Sequence, residues 1–366
     1  MKSVLIIDTG LYFEQGHNFS LVNKLHEIYT SKDFDVEILA LESSSDYLKE
    51  YYSKKKIKFF PILTYNCYSS EPHENKEVFI EAVRQTTNQL SNYLVNKDEY
   101  DIVIWPPASS TVQFVTNIMF KIKSKKNFIF VERNPLSLTK MTEFFIPRLK
   151  DKIEARKDIE ILTTDYGSQK LHKDVFGIDV TLTPVLTLSE KTPNTDKLCN
   201  IGVFGIHRNT SAYMERMYDI FKKFPKIIFH IHDPWGVTKK RDKKLFKEIK
   251  NINFFEFEFD LSKKIASFQA VINHLYPKLY KYLNSGILCE TIAVGRPLLT
   301  PRYTNSSNYI EENKNGILYD YSDYSQIADG ILSLTANINE YKKNAENLSK
   351  AWEKINGLNK IVELTL

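Results

Sequence analysis

The chain has 366 residues, of which 42% are hydrophobic and 26% are charged, values that are typical of packed globular domains and argue against intrinsic disorder and collagen-like repeats. No apolar run reaches the roughly 18 residues that a membrane-spanning helix needs, and the length favours two domains of roughly 150 to 200 residues each. The net charge of +5 is too small to predict nucleic-acid binding.

The N-terminus and the cysteines indicate a compartment. The first ten residues hold only a short apolar run before Asp8, which is too short for a secretory signal. Cys67, Cys199 and Cys289 are widely spaced and odd in number, so they predict neither a disulfide framework nor a zinc site. We therefore expect a cytoplasmic protein.

In the first half of the chain, short apolar runs alternate with longer amphipathic stretches, such as those at 20–29 and 75–94. This alternation predicts parallel strands with interleaved helices. The strand candidates are 4–8, 35–40, 57–60, 102–105, 128–131, 159–163 and 180–182.

The polar, proline-containing segment 186–197 interrupts this pattern and is the best linker candidate. After it the alternation restarts, and the tail from residue 323 shows only helical spacing. The strand candidates of this half are 200–205, 227–231, 254–257, 270–273, 298–300 and 317–319. The predicted fold class is α/β. Two Rossmann-like doubly wound domains, at 1–187 and 198–366, face a central cleft, and the C-terminal domain includes the terminal helices.

Ligands of open α/β sheets bind beyond the carboxyl ends of the strands. Nucleotide-sugar glycosyltransferases, sugar-nucleotide epimerases, two-domain dehydrogenases and periplasmic-type binding proteins all fit a two-domain layout of this kind. The last class needs export, which the N-terminus does not support. The loops must therefore discriminate among the other three.

The first of these loops follows the strand at 4–8. Gly10 and Gly16 allow the backbone to approach a ligand, His17 can orient a substrate hydroxyl, and Asn18 or Ser20 can cap the next helix. The loop lacks the three glycines of G-x-G-x-x-G, which removes most of the support for a dehydrogenase. A plain strand-to-helix turn explains the two glycines equally well.

A second loop, between the strands at 270–273 and 298–300, carries the sharper signal. The residues Asn284, Ser285, Gly286 and Ile287 precede or begin a short helix, and backbone amides at a helix N-terminus can hold a diphosphate. Glu290 lies about one turn into that helix, among apolar neighbours. A carboxylate in this position is explained if it accepts hydrogen bonds from the vicinal hydroxyls of a ribose.

This segment resembles the donor-site motif of retaining glycosyltransferases of the GT-B fold, particularly glycosyltransferase family 4. Glu290 matches the second Glu of the family's Glu-x7-Glu pattern, and 295–297 matches its Gly-x-Pro turn. The resemblance implies that Glu290 binds the nucleotide ribose and that 284–287 bind the diphosphate. The end of the strand at 200–205 is similar to the family's turn whose Arg contacts the diphosphate, which implies that role for Arg208.

The chain departs from the family pattern in three places. Tyr282 stands where the first Glu is expected, no Lys follows in 209–215, and no His follows the fourth strand. Lys281, or Lys278 in the same loop, can replace the missing Lys in stabilising the departing diphosphate. These departures keep open a non-catalytic partner or regulatory subunit as the alternative. A sugar-nucleotide epimerase, which shares the fold, is a second one.

The acceptor side is predicted in the N-terminal domain. Glu132 and Arg133 follow the strand at 128–131, and they join Gly10, Gly16 and His17 as candidate acceptor-side residues. An equally frequent reading of Glu132 and Arg133 is a structural ion pair.

Together these patterns predict a retaining, hexosyl-type glycosyltransferase that moves a sugar from a nucleotide-diphosphate-sugar donor to a glycan or lipid-linked acceptor. The donor is a substrate, and the resemblance implies neither a cofactor nor a metal. The Lys clusters at 54–58 and 121–126 are most often solvated, but they also allow weak peripheral contact with the anionic inner face of a membrane. No nucleic-acid partner is expected.

Overall fold

In a computed structural model the chain divides into two compact units: unit 1 comprises Met1–Pro184 and Leu358–Leu366, and unit 2 comprises Val185–Gly357. The predicted domains differ from this division mainly in assigning the last nine residues to the C-terminal half. The structure describes residues 2–13, 16–67, 71–106, 111–130, 140–164, 166–183, 199–205, 211–233, 236, 240, 249–256, 261–281, 285–356 and 363.

Unit 1 is built on a parallel sheet, which has seven strands within these described residues, in the order β3-β2-β1-β4-β5-β6-β7. The chain runs outward from β1 to β3, returns to β4 and then runs outward on the other side. The carboxyl ends of β1 and β4 therefore flank the switch point of the sheet. The strands are β1 (Lys2–Ile7), β2 (Phe34–Leu41), β3 (Lys58–Leu63), β4 (Tyr100–Trp105), β5 (Ser124–Phe130), β6 (Ile159–Thr163) and β7 (Thr181–Leu182).

The helices of unit 1 lie between these strands, and their apolar faces bury against the sheet. The side-chain oxygen of Asn75 accepts hydrogen bonds from the amides of Glu77 and Val78 and so caps the longest of them. The helices are α1 (Gly16–Thr30), α2 (Asp46–Lys54), α3 (Glu71–Glu74), α4 (Lys76–Leu94), α5 (Thr111–Met119), α6 (Lys140–Ala155) and α7 (Tyr166–Leu171), with a π-helical turn at His172–Phe176.

A buried carboxylate joins three elements of unit 1. Glu37 on β2 accepts hydrogen bonds from Tyr93 of α4 (2.7 Å), from Tyr100 at the start of β4 (2.6 Å) and from Lys97 (3.0 Å). Burial opposes ionisation of Glu37, but the bonds from Tyr100, Tyr93 and Lys97 outweigh it and lower its pKa. The network fastens the sheet near the first residues of β3 and β4, away from the switch point.

Unit 2 repeats the same topology. Where the structure describes it, its sheet has six parallel strands in the order β10-β9-β8-β11-β12-β13. The switch point therefore lies between β8 and β11. The strands are β8 (Asn200–Phe204), β9 (Ile228–His232), β10 (Ile252–Phe255), β11 (Ala270–Asn273), β12 (Leu298–Pro301) and β13 (Gly316–Tyr319).

The helices of unit 2 complete its core. In the last of them, Trp352 is buried against Tyr309, and the Ser349 hydroxyl donates to the carbonyl oxygen of Ala293 (2.6 Å). The helices are α8 (Ser211–Lys222), α9 (Leu261–Ala266), α10 (Pro277–Tyr280), α11 (Gly286–Ala293), α12 (Asn305–Asn313), α13 (Ser325–Ala336) and α14 (Ile338–Asn356). Within the described ranges, no helix is both long and apolar enough to cross a membrane.

Each of the thirteen predicted strands corresponds to one in the described part of the chain, and the differences lie at the ends. β3 continues through Pro61 to Leu63, because it is an edge strand on which a residue without an amide hydrogen is tolerated. β5 begins at Ser124, four residues earlier than predicted. The prediction omitted these residues because the exposed Lys125 and Lys126 interrupt the apolar pattern.

Candidate functional site

At the switch point of unit 2, the backbone just after β8 lies against the backbone just after β11. Gly205 follows β8 with φ +86°, and a Cβ atom placed on it would lie 2.4 Å from the carbonyl oxygen of His274. Both the conformation and the contact require glycine. Arg208, the predicted diphosphate ligand, comes three residues later and lies outside the described residues.

Helix α11 begins at this switch point. The N-cap residue Ser285 is buried and extended (φ −85°, ψ 128°). Its hydroxyl makes no capping bond to the helix and instead accepts a hydrogen bond from the Asn273 side chain (3.2 Å). Ser285, Gly286 and Ile287 thus lie where they were predicted, whereas Asn284 lies outside the described residues. The first amides of a helix have no partner within it and attract anions.

Glu290 lies in the second turn of α11 and is partly exposed. One of its carboxylate oxygens, Oε2, accepts a hydrogen bond from the hydroxyl of Ser262 at 2.5 Å. Ser262 is buried in the first turn of α9. Sequence analysis assigned ribose hydroxyls to Glu290 but did not identify Ser262, which is 28 residues away along the chain.

The loop between β11 and α11 contains α10 and the two lysines proposed for the leaving group. Lys278 and Lys281 are both exposed. Lys281 directly follows α10 and lies four residues before Ser285, the residue that precedes α11.

Aromatic residues that sequence reasoning missed surround the end of β11. The buried His274 ring contacts the hydroxyl of Tyr319 through Nδ1 (2.5 Å) and stacks on Tyr321 with 4.5 Å between the ring centroids. The ring centroids of Tyr321 and the half-exposed Tyr276 are 5.5 Å apart. Burial lowers the pKa of His274 to about 3, so this imidazole is neutral near pH 7 and is not a source of positive charge for a diphosphate.

The switch point of unit 1 also contains a carboxylate, but an inaccessible one. Asp8 follows β1, is 1% exposed, and accepts hydrogen bonds from the Gly10 amide (2.7 Å) and from the Asn18 side chain (3.0 Å to each oxygen). Burial raises the pKa of Asp8 to about 6, although these donors act in the opposite direction. The adjacent Thr9 hydroxyl accepts a bond from Gln113 of α5 (2.5 Å).

These contacts correct the interpretation of the first loop. Asn18 is not the cap of α1, because the helix begins at Gly16 and the Asn18 side chain turns to Asp8. A Cβ atom on Gly10 would lie 2.5 Å from the Asn18 side chain and 2.9 Å from Cys67. The lack of space beside Gly10 therefore explains why a glycine occupies this position, without a role in ligand binding.

The remaining acceptor-side candidates are only partly described. Gly16 and His17 form the first turn of α1, but the His17 side chain is outside the described part of the structure, as are Glu132 and Arg133.

His230 and His232, two residues apart on β9, both pack among aromatic side chains. His232 packs between the rings of Phe204 and Phe255, and His230 packs beside Phe268. Among the described residues, no three His, Cys, Asp or Glu side chains form a group that could hold a metal ion.

Comparisons with known proteins identify the fold. No family model matches this sequence, and no curated protein matches it, but solved structures do. HepE of Anabaena, solved in complex with UDP-glucose, is 11% identical and has a TM-score of 0.70 over 100% of this chain and 98% of that chain. Sucrose-phosphate synthase of Thermosynechococcus elongatus is 13% identical, with a TM-score of 0.68 over 100% and 98% of the two chains.

WaaG, a glycosyltransferase involved in lipopolysaccharide biosynthesis, is 13% identical, with a TM-score of 0.59 over 96% of this chain and 100% of that chain. Identities this low show the fold and no more. The chain has the GT-B fold of two Rossmann-like domains, which confirms the predicted fold class.

Proposed function

We propose that the protein is a glycosyltransferase that transfers a hexosyl group from a nucleotide-diphosphate-sugar donor to a glycan or lipid-linked acceptor, with retention at the anomeric carbon. Unit 2 binds the donor and unit 1 provides the acceptor side. Arg208, Lys281, Asn284, Glu132, Arg133 and His17 keep the roles proposed for them from the sequence.

The observation that carries this proposal is the arrangement of α11 at the switch point of unit 2. The helix presents its first amides, from Ser285 onward, and one turn later the partly exposed carboxylate of Glu290. Amides favour the diphosphate and a carboxylate favours ribose hydroxyls, so one short helix can recognise both parts of a nucleotide. HepE, which shares the fold, was solved with UDP-glucose.

The chemistry proposed for unit 2 is stabilisation of the departing diphosphate. The α11 amides, Arg208 and Lys281 supply positive charge where negative charge develops as the sugar–phosphate bond breaks. This scheme needs neither a protein nucleophile nor a bound metal. Each group is asked only to favour the transition state over the intact donor.

For lipid-linked acceptors, we propose peripheral contact with an anionic membrane through the lysines at 54–58 and 121–126. Several of them are exposed and lie near the ends of α2 and α5. Attraction of this kind is worth about 1 kcal/mol per Lys near the surface, so it supports weak, salt-sensitive association.

Isothermal titration calorimetry with UDP, ADP and GDP tests the donor site. We expect one of them to bind, and we expect Glu290→Ala to weaken it at least tenfold, because about 1.5–3 kcal/mol is lost with hydrogen bonds to a charged group. Glu311→Ala, which removes an exposed carboxylate on α12, is the matched control. Unchanged affinity in Glu290→Ala would exclude this donor site.

Activity assays then separate the three functional classes. Incubation with labelled nucleotide sugars and candidate glycan or lipid-linked acceptors gives a labelled glycan or lipid for a transferase, and an interconverted donor for an epimerase. Nucleotide binding with neither reaction identifies a non-catalytic subunit. The anomeric configuration of the product, read by NMR, tests retention.

A further inference from the structure

The Glu290 carboxylate does not stand alone in unit 2, because a buried hydroxyl from another helix holds it. Ser262 is 2% exposed, and its hydroxyl donates to Glu290 Oε2 over 2.5 Å. A distance in this range is typical of a charge-assisted bond between a hydroxyl and a carboxylate. The bond restrains the orientation of a side chain that has three rotatable bonds.

The helix that carries Ser262 is itself fastened to the α11 region at its other end. The guanidinium group of the buried Arg296 donates through Nε (3.2 Å) and Nη2 (2.5 Å) to the carbonyl oxygen of Ala266, the last residue of α9. Between the two ends, Ile265 is fully buried in the same apolar cluster as Leu288 of α11. Helix α9 is therefore a rigid support for Ser262.

The location of the contact between Ser262 and Glu290 in the fold bears on its role. α9 follows β10 and α11 follows β11, so the bond links helices that begin at the carboxyl ends of separate strands. This contact therefore joins two helices that begin at the edge of the sheet where ligands of such folds bind. Core packing by Ile265 already holds the two helices together, so the hydrogen bond is not required for that purpose.

From this geometry we propose that Ser262 is a positioning residue that orients Glu290 for the two hydroxyls of a ribose and so selects ribonucleotide over deoxyribonucleotide donors. The inference rests on the proposed function, because it takes Glu290 as the ribose ligand. Ser262 acts through Glu290 and does not itself contact the donor.

The experiment compares UDP with 2′-deoxy-UDP in calorimetric titrations of the full chain, or the corresponding pair for ADP or GDP if the wild type prefers another base. We expect the wild type to bind the ribonucleotide several-fold more tightly. Ser262→Ala lowers ribonucleotide affinity about tenfold, as loss of one bond that orders a charged partner implies, and brings the ratio of the two affinities close to one.

Three variants separate positioning from a structural effect. Ser262→Thr keeps the hydroxyl and restores the ratio, whereas Ser267→Ala, an exposed Ser→Ala change just beyond the same helix, leaves it unchanged. In the Glu290→Gln background, Ser262→Ala causes no further loss, because the two residues act as one unit. Thermal unfolding of each variant accompanies the titrations.

The outcomes distinguish the two levels of inference. If no ribonucleoside diphosphate binds the wild type, the proposed function fails and the role of Ser262 fails with it. If the wild type binds and discriminates but Ser262→Ala keeps the same ratio, the donor site stands and the positioning role is overturned. Additive losses in the double variant would instead mean that Ser262 contacts the donor directly, which also overturns it.

Discussion

The two switch points have the same strand topology but use their carboxylates differently. In unit 1, Asp8 is 1% exposed and is saturated by Gly10 and Asn18. In unit 2, Glu290 is partly exposed and is held by Ser262. A carboxylate that is sealed inside a loop determines the shape of the loop, whereas the partly exposed Glu290 is the carboxylate to which we assign a ligand. Two sheets of the same topology therefore place their carboxylates in different environments.

The largest expected effect comes from replacing Gly205, which lies at the switch point of unit 2. Gly205→Ala places a Cβ atom 2.4 Å from the backbone oxygen of His274 at φ +86°, and we expect a loss of about 4 kcal/mol from strain and overpacking together. Urea unfolding measures it. Gly236→Ala is the control: φ is +62° but the nearest atom is 3.6 Å away, so only the conformational cost of about 1 kcal/mol applies.

Equal losses in the two glycine variants would contradict the close contact between Gly205 and His274. If Gly205→Ala lowers stability and also weakens nucleotide binding, the backbone geometry at this edge of unit 2 contributes to the proposed donor site.

The next prediction concerns the sealed carboxylate of unit 1. The pKa of Asp8 is raised from 3.8 to about 6, so the folded state binds more protons than the unfolded state between these values, and stability falls as pH rises from about 4 through 6. The contribution is about 3 kcal/mol at one pKa unit per 1.4 kcal/mol. Asp8→Asn removes this slope. Hydrogen exchange of β1 and α1 peptides between pH 4 and 7, corrected for the intrinsic rate, measures it.

An unchanged dependence of stability on pH in Asp8→Asn would mean that the pKa of Asp8 is the same in the folded and unfolded states. That result would remove the contrast between a sealed and an accessible carboxylate.

The smallest expected effect comes from a helix cap in unit 1. Asn75→Ala removes the acceptor for the amides of Glu77 and Val78, which costs about 1 kcal/mol of stability. We expect nucleotide affinity to stay at the wild-type value, because this cap lies in the other unit. Thermal unfolding and calorimetry test both parts, and weaker nucleotide binding would show that unit 1 contributes to the donor site.

The order of strands and helices was predictable because it depends on local patterns. β11 and β6 match their predicted bounds, since each is a short apolar run between clear turns. Long-range pairs were not predictable: Ser262 meets Glu290 across 28 residues and His274 meets Tyr319 across 45. No periodicity encodes which side chains of separate elements meet.

The Glu37 network has a consequence for altering the protein. It ties α4, β2 and β4 together through Tyr93, Lys97 and Tyr100, near the first residues of β3 and β4. The loop that follows the carboxyl end of β1 is therefore supported by a sheet that is anchored elsewhere. Libraries that randomise Tyr12 and Phe13, which follow the buried Leu11 in this loop, change the loop while the hydrogen bonds of Glu37 keep the sheet intact.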